Sequence, residues 1–132
     1  MTLFQWLISG GIFALIIVSA VHSLLGEKLL LKPMFSRRGN AVLESDLARL
    51  VIRFAWHVTS LSWIMMAVIL YFVGFSQTAL PAAILLTLGI GFLAVGLFDA
   101  IATRGRHVGW PVLTVIGVFC LAAYAVGAGG ST

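Results

Sequence analysis

The chain has 132 residues, 61% of them hydrophobic and only 9% charged, with a mean hydropathy of +1.14. Soluble domains carry about 45–50% apolar and about 25% charged residues. This composition excludes a soluble globule, a disordered tail and a nucleic-acid-binding domain, because a fold this small has too little interior for its apolar surface and too few charges to coat its outside.

A lipid bilayer is the solvent that suits such a chain. One helical span needs about 20 apolar residues, so four spans with short connections use the length. The first is expected at residues 3–25. Its lead-in, Met1-Thr2-Leu3-Phe4-Gln5-Trp6, carries no basic side chain, unlike the start of a cleavable signal, and therefore reads as part of a permanent span. A polar connection over residues 26–47 follows, with Lys28, Lys32, Arg37, Arg38, Glu44 and Asp46. Pro33 is expected to break any helix there, Arg37-Arg38-Gly39-Asn40 to form a solvated turn, and Ser45 to cap the next helix.

Span two, residues 48–75, carries Arg53 and His57 near its start. An uncharged turn at Phe75-Ser76-Gln77-Thr78 leads into span three, residues 80–102, with Pro81 in its first turn. Thr103-Arg104-Gly105-Arg106 is a short basic turn, and span four covers residues 107–127. The small, polar tail from Gly127 to Thr132 is expected to be loose. Gly10, Gly11, Gly89 and Gly96 mark places where helices can approach closely. Cys120 is the single cysteine, which excludes an intramolecular disulfide and any CxxC chemistry.

Charge sets the orientation. Of the eight basic residues, Lys28, Lys32, Arg37, Arg38, Arg49 and Arg53 surround the first connection, and Arg104 and Arg106 occupy the third. The second connection and both ends have none. Short cytoplasmic connections collect Lys and Arg, so the expectation is an all-α integral membrane protein. Its single domain, residues 1–132, is a four-transmembrane-helix bundle with both termini on the outer, periplasmic side of a bacterial inner membrane. Trp6, Tyr71 and Tyr124 fall near the outer ends of their spans, where aromatic belts sit.

The candidate chemistry lies in one layer. His22 is five positions before Glu27, roughly 7–8 Å inside the inner boundary, and His57, four positions after Arg53, is roughly 6 Å inside it. Asp99 ends span three and His107 opens span four, whereas the outer half has no His, Asp, Glu, Lys or Arg. Ser19, His22, Ser23 and Gly26 form one helical stripe. Asp46, Leu50, Arg53, His57 and Ser60 form a second, and His107, Trp110, Pro111 and Thr114 a third. Polar side chains turn away from lipid, so these stripes are expected to face one another. Trp56, Trp63 and Trp110 read as packing or interface residues.

Three imidazoles with a carboxylate make a common shell for a divalent transition ion. The sequence therefore points to a small membrane protein binding zinc or iron through His22, His57 and His107. Asp99 or Glu27 completes the shell, and Ser23, Arg53 and Ser60 orient its members. One alternative is a b-type haem for electron transfer, ligated by His22 and His57 on adjacent antiparallel spans, with Arg53 or the Arg37-Arg38 pair at its propionates. The other is a structural or accessory subunit without a cofactor. No Ser-His-Asp order, Gly-rich phosphate loop or multi-histidine box appears, so an enzymatic role is not indicated. The partners expected are the bilayer itself and, by assembly, a second copy or a larger membrane complex.

Overall fold

Thr2 opens the first helix with a reciprocal cap: its hydroxyl accepts from the Gln5 N–H at 3.2 Å, and the Gln5 side-chain oxygen accepts from the Thr2 N–H at 3.0 Å. Such a pair satisfies two N–H groups that the helix itself leaves free. The computed structural model describes residues 1–37 and 39–129. In it α1 (Leu3–Gly26) runs straight into a π-helical turn (Glu27–Leu31) and then α2 (Lys32–Ser36). The expected break at Pro33 is therefore corrected. Proline lacks an N–H and its ring crowds the carbonyl four residues back. The widened turn, with the Lys32 N–H bonded to the Glu27 carbonyl, lets Pro33 enter as the first turn of α2. The apolar helix thus extends to Ser36 rather than ending near residue 25.

Asn40 caps the short α3 (Ala41–Glu44) by accepting from Val42 and Leu43, with Gly39 before it at φ +97°. Arg38, in the turn expected here, lies outside the described residues. Ser45 caps α4 (Asp46–Phe75) as expected, through the Ala48 N–H. A 3₁₀ turn at Gln77–Ala79 leads to α5 (Leu80–Ala102), with Pro81 in its first turn. The chain then reverses through Thr103–Arg106. Gly105 N–H donates to the Ala100 carbonyl at 2.8 Å and Arg104 N–H to that of Ile101 at 3.2 Å. This double closure of a helix end places Arg104 at φ 53°, where glycine is the usual occupant. α6 (Gly109–Gly129) starts two residues later than expected, because His107 and Val108 remain in the turn. Residues 130–132 of the tail lie outside the described residues. Among the described residues there is no strand.

Among the described residues there are thus four helices long and apolar enough to cross a membrane. They pack chiefly as two antiparallel pairs, α1 with α4 and α5 with α6, joined by a looser α4–α5 contact. Large apolar side chains such as Phe13, Ile90 and Phe119 point outward, while small ones such as Ala67 and Ala83 fill the interior. A Cβ built on Gly117 would stand 2.5 Å from the Leu93 backbone N, and one on Gly96 2.6 Å from that of Thr114. α5 and α6 are therefore in near backbone contact, the approach that small residues permit. Gly89 takes part as expected, with its Cβ 2.8 Å from Leu121. Gly10 does not, since nothing lies within 4 Å of its Cβ, and Gly11 has only ordinary contact with Leu70 at 3.6 Å.

Candidate functional site: an acid–imidazole cluster between helices

The α1–α4 seam holds a string of polar contacts in one register. Ser19, almost fully buried, donates from Oγ to the Ser60 carbonyl at 2.9 Å. One turn further along α1, Ser23 Oγ and His57 Nδ1 share a hydrogen bond of 2.8 Å. After another turn Glu27 Oε2 accepts from Arg53 Nε at 3.1 Å and stands 3.6 Å from His57 Nε2. Serine, acid, arginine and imidazole are thus brought together because α1 advances by one helical turn (19, 23, 27) as the antiparallel α4 falls back by one (60, 57, 53). Glu27 is the first residue of the π turn, a geometry that often marks working sites in helices. The Arg53 guanidinium also lies 5.3 Å from the centre of the Phe35 ring, an attractive contact for a cation.

His22 stands apart from this string. Its ring stacks on Trp56 at 4.1 Å with 5° between planes, and meets the edge of Trp63 at 4.9 Å. Trp56 Nε1–H donates to the His22 carbonyl at 2.9 Å, and the indole fits because Gly26 has no Cβ to collide with it. Among the described residues, His22 Nε2 is buried without a hydrogen-bond partner.

The second acid–imidazole pair belongs to α5 and the turn after it. Asp99 has no exposed surface, and its Oδ2 is 2.6 Å from His107 Nδ1, a close hydrogen bond. Its main-chain carbonyl accepts from Thr103 Oγ1 at 2.6 Å, whose oxygen in turn accepts from the His107 N–H at 3.4 Å. Gly109 lies close beneath the imidazole. Asp99 thus holds the ring, and Thr103 holds the main chain that carries it.

The residues expected to share a single shell, His22, His57, His107, Asp99 and Glu27, stand in three separate groups. Glu27 joins His57, Asp99 joins His107, and His22 joins two indoles. Among the described residues no group of three or more His, Cys, Asp or Glu is placed to hold a metal ion. The reason lies in helix pairing: α1 packs on α4 and α5 on α6, so the first two stripes meet each other while that of span four meets α5, with Thr114 against Gly96. Arg53 also occupies a lone pair of Glu27 that an ion would need. Of the three residues expected to orient ligands, Ser23 and Arg53 do touch the acid and imidazole, whereas Ser60 serves Ser19 through its carbonyl. A haem between His22 and His57 would need α1 and α4 to part, and they are in direct contact at Ser23–His57 and Gly26–Trp56. Phe35 and Phe98 gave no sequence signal, being apolar residues in apolar segments.

His57 also opens on its other side. With 39% of its side chain exposed, it lines an apolar groove of about 230 Å³ between α4 and α5, together with Phe54, Leu61, Ala94 and Phe98. Phe54 and Phe98 stack there at 5.8 Å. The cluster can therefore present one imidazole, oriented by Ser23 and set beside a carboxylate, to whatever enters an apolar cleft.

These features define an all-helical protein with four helices of membrane-spanning length and composition. No protein-family model matches the chain, and no curated protein or solved structure matches it.

Proposed function

We propose that this is a small multi-pass membrane protein that binds a membrane-dissolved amphiphile in the α4–α5 groove, with His57 meeting a polar group of that ligand. The observation that supports it is a part-exposed imidazole, tied to Ser23 at 2.8 Å, opening into an apolar cleft. Polar side chains facing hydrocarbon are costly, and a ligand carbonyl or hydroxyl that hydrogen-bonds the ring offsets that cost. Imidazole can give or take a proton at such a contact, and Ser23 and Glu27 hold it in place. The bacterial inner membrane, with both ends outside, belongs to the same proposal and is supported by the eight-to-zero distribution of basic residues.

The test is lipid extraction and mass spectrometry of protein purified in mild detergent. Wild type is expected to carry a lipid species near stoichiometry. His57→Leu is expected to lose it with helix content unchanged, and the lipid-facing control Ile90→Leu to keep it. Equal lipid content in all three rejects the reading. Elemental analysis and a visible spectrum of the same samples test the other ligands. Stoichiometric zinc or iron that falls with His57→Leu and Glu27→Gln, or a Soret band, replaces the amphiphile.

A further inference from the structure

The α4–α5 groove has a polar mouth. Asp46, Leu50, Thr103, Arg104 and Arg106 enclose a second hollow of about 310 Å³ at the end of the same two helices. Leu50, Phe54, His57 and Leu61 follow one another at i, i+4, i+7 and i+11 on α4. Mouth and groove therefore lie one after the other along the same face of α4, a track about 16 Å long at 1.5 Å per residue. Both arginines are exposed, and neither belongs to an ion pair among the described residues. Arg104 holds its place at φ 53°, a conformation that residues other than glycine seldom adopt. The opposing charge at the mouth is Asp46 alone, leaving a net positive entrance to an apolar cleft.

The geometry points to an anionic phospholipid as the ligand of this track, an assignment that rests on the amphiphile reading above and names its chemistry. The phosphate sits on Arg104 and Arg106, which match it as charge and as hydrogen-bond donors. An ester carbonyl lies next along the molecule, at the level of Phe54 and His57. The acyl chain continues past Leu61 and Ala94. A lipid of this kind satisfies the arginines, the imidazole and the apolar wall together, in the order in which the track presents them.

Native mass spectrometry with phosphatidylglycerol and phosphatidylcholine of identical chains tests this. Each basic residue near an anionic headgroup contributes about 1 kcal/mol, so wild type is expected to retain phosphatidylglycerol about thirtyfold better. The double variant Arg104→Gln/Arg106→Gln is expected to hold both lipids equally, well below the wild-type level for phosphatidylglycerol, and millimolar inorganic phosphate is expected to displace neither. Equal retention by wild type, or a preference that survives the double variant, overturns the assignment. Displacement by inorganic phosphate, with the same dependence on the arginines, makes the ligand a soluble phosphate instead. Ala94→Phe, which fills the groove from an exposed position, separates this inference from the reading beneath it. Loss of both lipids in Ala94→Phe together with no headgroup preference in wild type leaves the groove standing and removes the phosphate. Unchanged binding of both lipids in Ala94→Phe removes the groove.

Discussion

Asp99 and Gly26 show how much a single residue can decide here. Asp99 is fully buried, one of its oxygens faces His107 Nδ1 at 2.6 Å, and the other has no partner among the described residues. Asp99→Ala strands the imidazole and opens a cavity, so it is expected to cost about 2–3 kcal/mol in thermal unfolding in detergent. Asp99→Asn keeps an oxygen toward the ring and is expected to cost about half as much, since hydrogen bonds to charged groups are about twice as strong as neutral ones. Equal losses in the two variants would mean that the side chain's bulk matters and its bond does not. Gly26 acts by absence. A Cβ there would stand 2.5 Å from Trp56 Cζ2, so Gly26→Ala must move the indole off His22. A shifted tryptophan emission and a stability loss of about 1–3 kcal/mol are expected; unchanged emission would contradict the stacked arrangement.

At the scale of elements, helix pairing is set by where side chains are missing. The near contact of α5 and α6 passes through Gly117, Gly96 and Gly89, and at Gly117 the neighbour is backbone, which cannot turn aside. Gly117→Ala is expected to destabilise the α5–α6 pair by about 1–3 kcal/mol. Gly10→Ala, with nothing within 4 Å, is expected to be neutral or mildly stabilising, because alanine prefers the helix by about 1 kcal/mol. Both are glycine-to-alanine changes inside helices, so the difference between them isolates packing. Similar unfolding temperatures for the two variants would refute this division. In sequence the two glycines look alike. Spacing tells which residues share a helix face, and only the neighbouring helix tells whether that face is covered. The π turn at Glu27–Leu31 has the same character: Pro33 signals a disturbance, but whether the helix stops or widens depends on what it packs against.

For the molecule as a whole, four helices of spanning length place both ends on one side if all four cross. The basic residues then place that side away from the first and third connections. A reporter fused after Thr132 is expected to be active only on the outer side of the membrane, and cytoplasmic activity would overturn the orientation. Two tightly packed pairs joined by a looser seam also make the α4–α5 groove the natural place for the molecule to open or to take a ligand, since few close contacts are lost there.

Composition and periodicity determine the class and the local elements, because burial in lipid demands long apolar stretches whatever their partners. The four helices, the Ser45 cap, Pro81 in a first turn and the basic turn at Thr103–Arg106 were all legible on that ground. The polar stripes of α1 and α4 were legible too, since helical spacing aligns Ser19, His22 and Ser23 without reference to anything else, as it does Arg53, His57 and Ser60. The grouping of chemical residues was not. His22, His57, His107, Asp99 and Glu27 were expected at one depth, and depth is a property of position along the chain. Which of them touch is a property of helix order, and that order pairs α1 with α4 and α5 with α6, dividing one expected shell into a Glu27–His57 cluster, an Asp99–His107 pair and a histidine held between indoles.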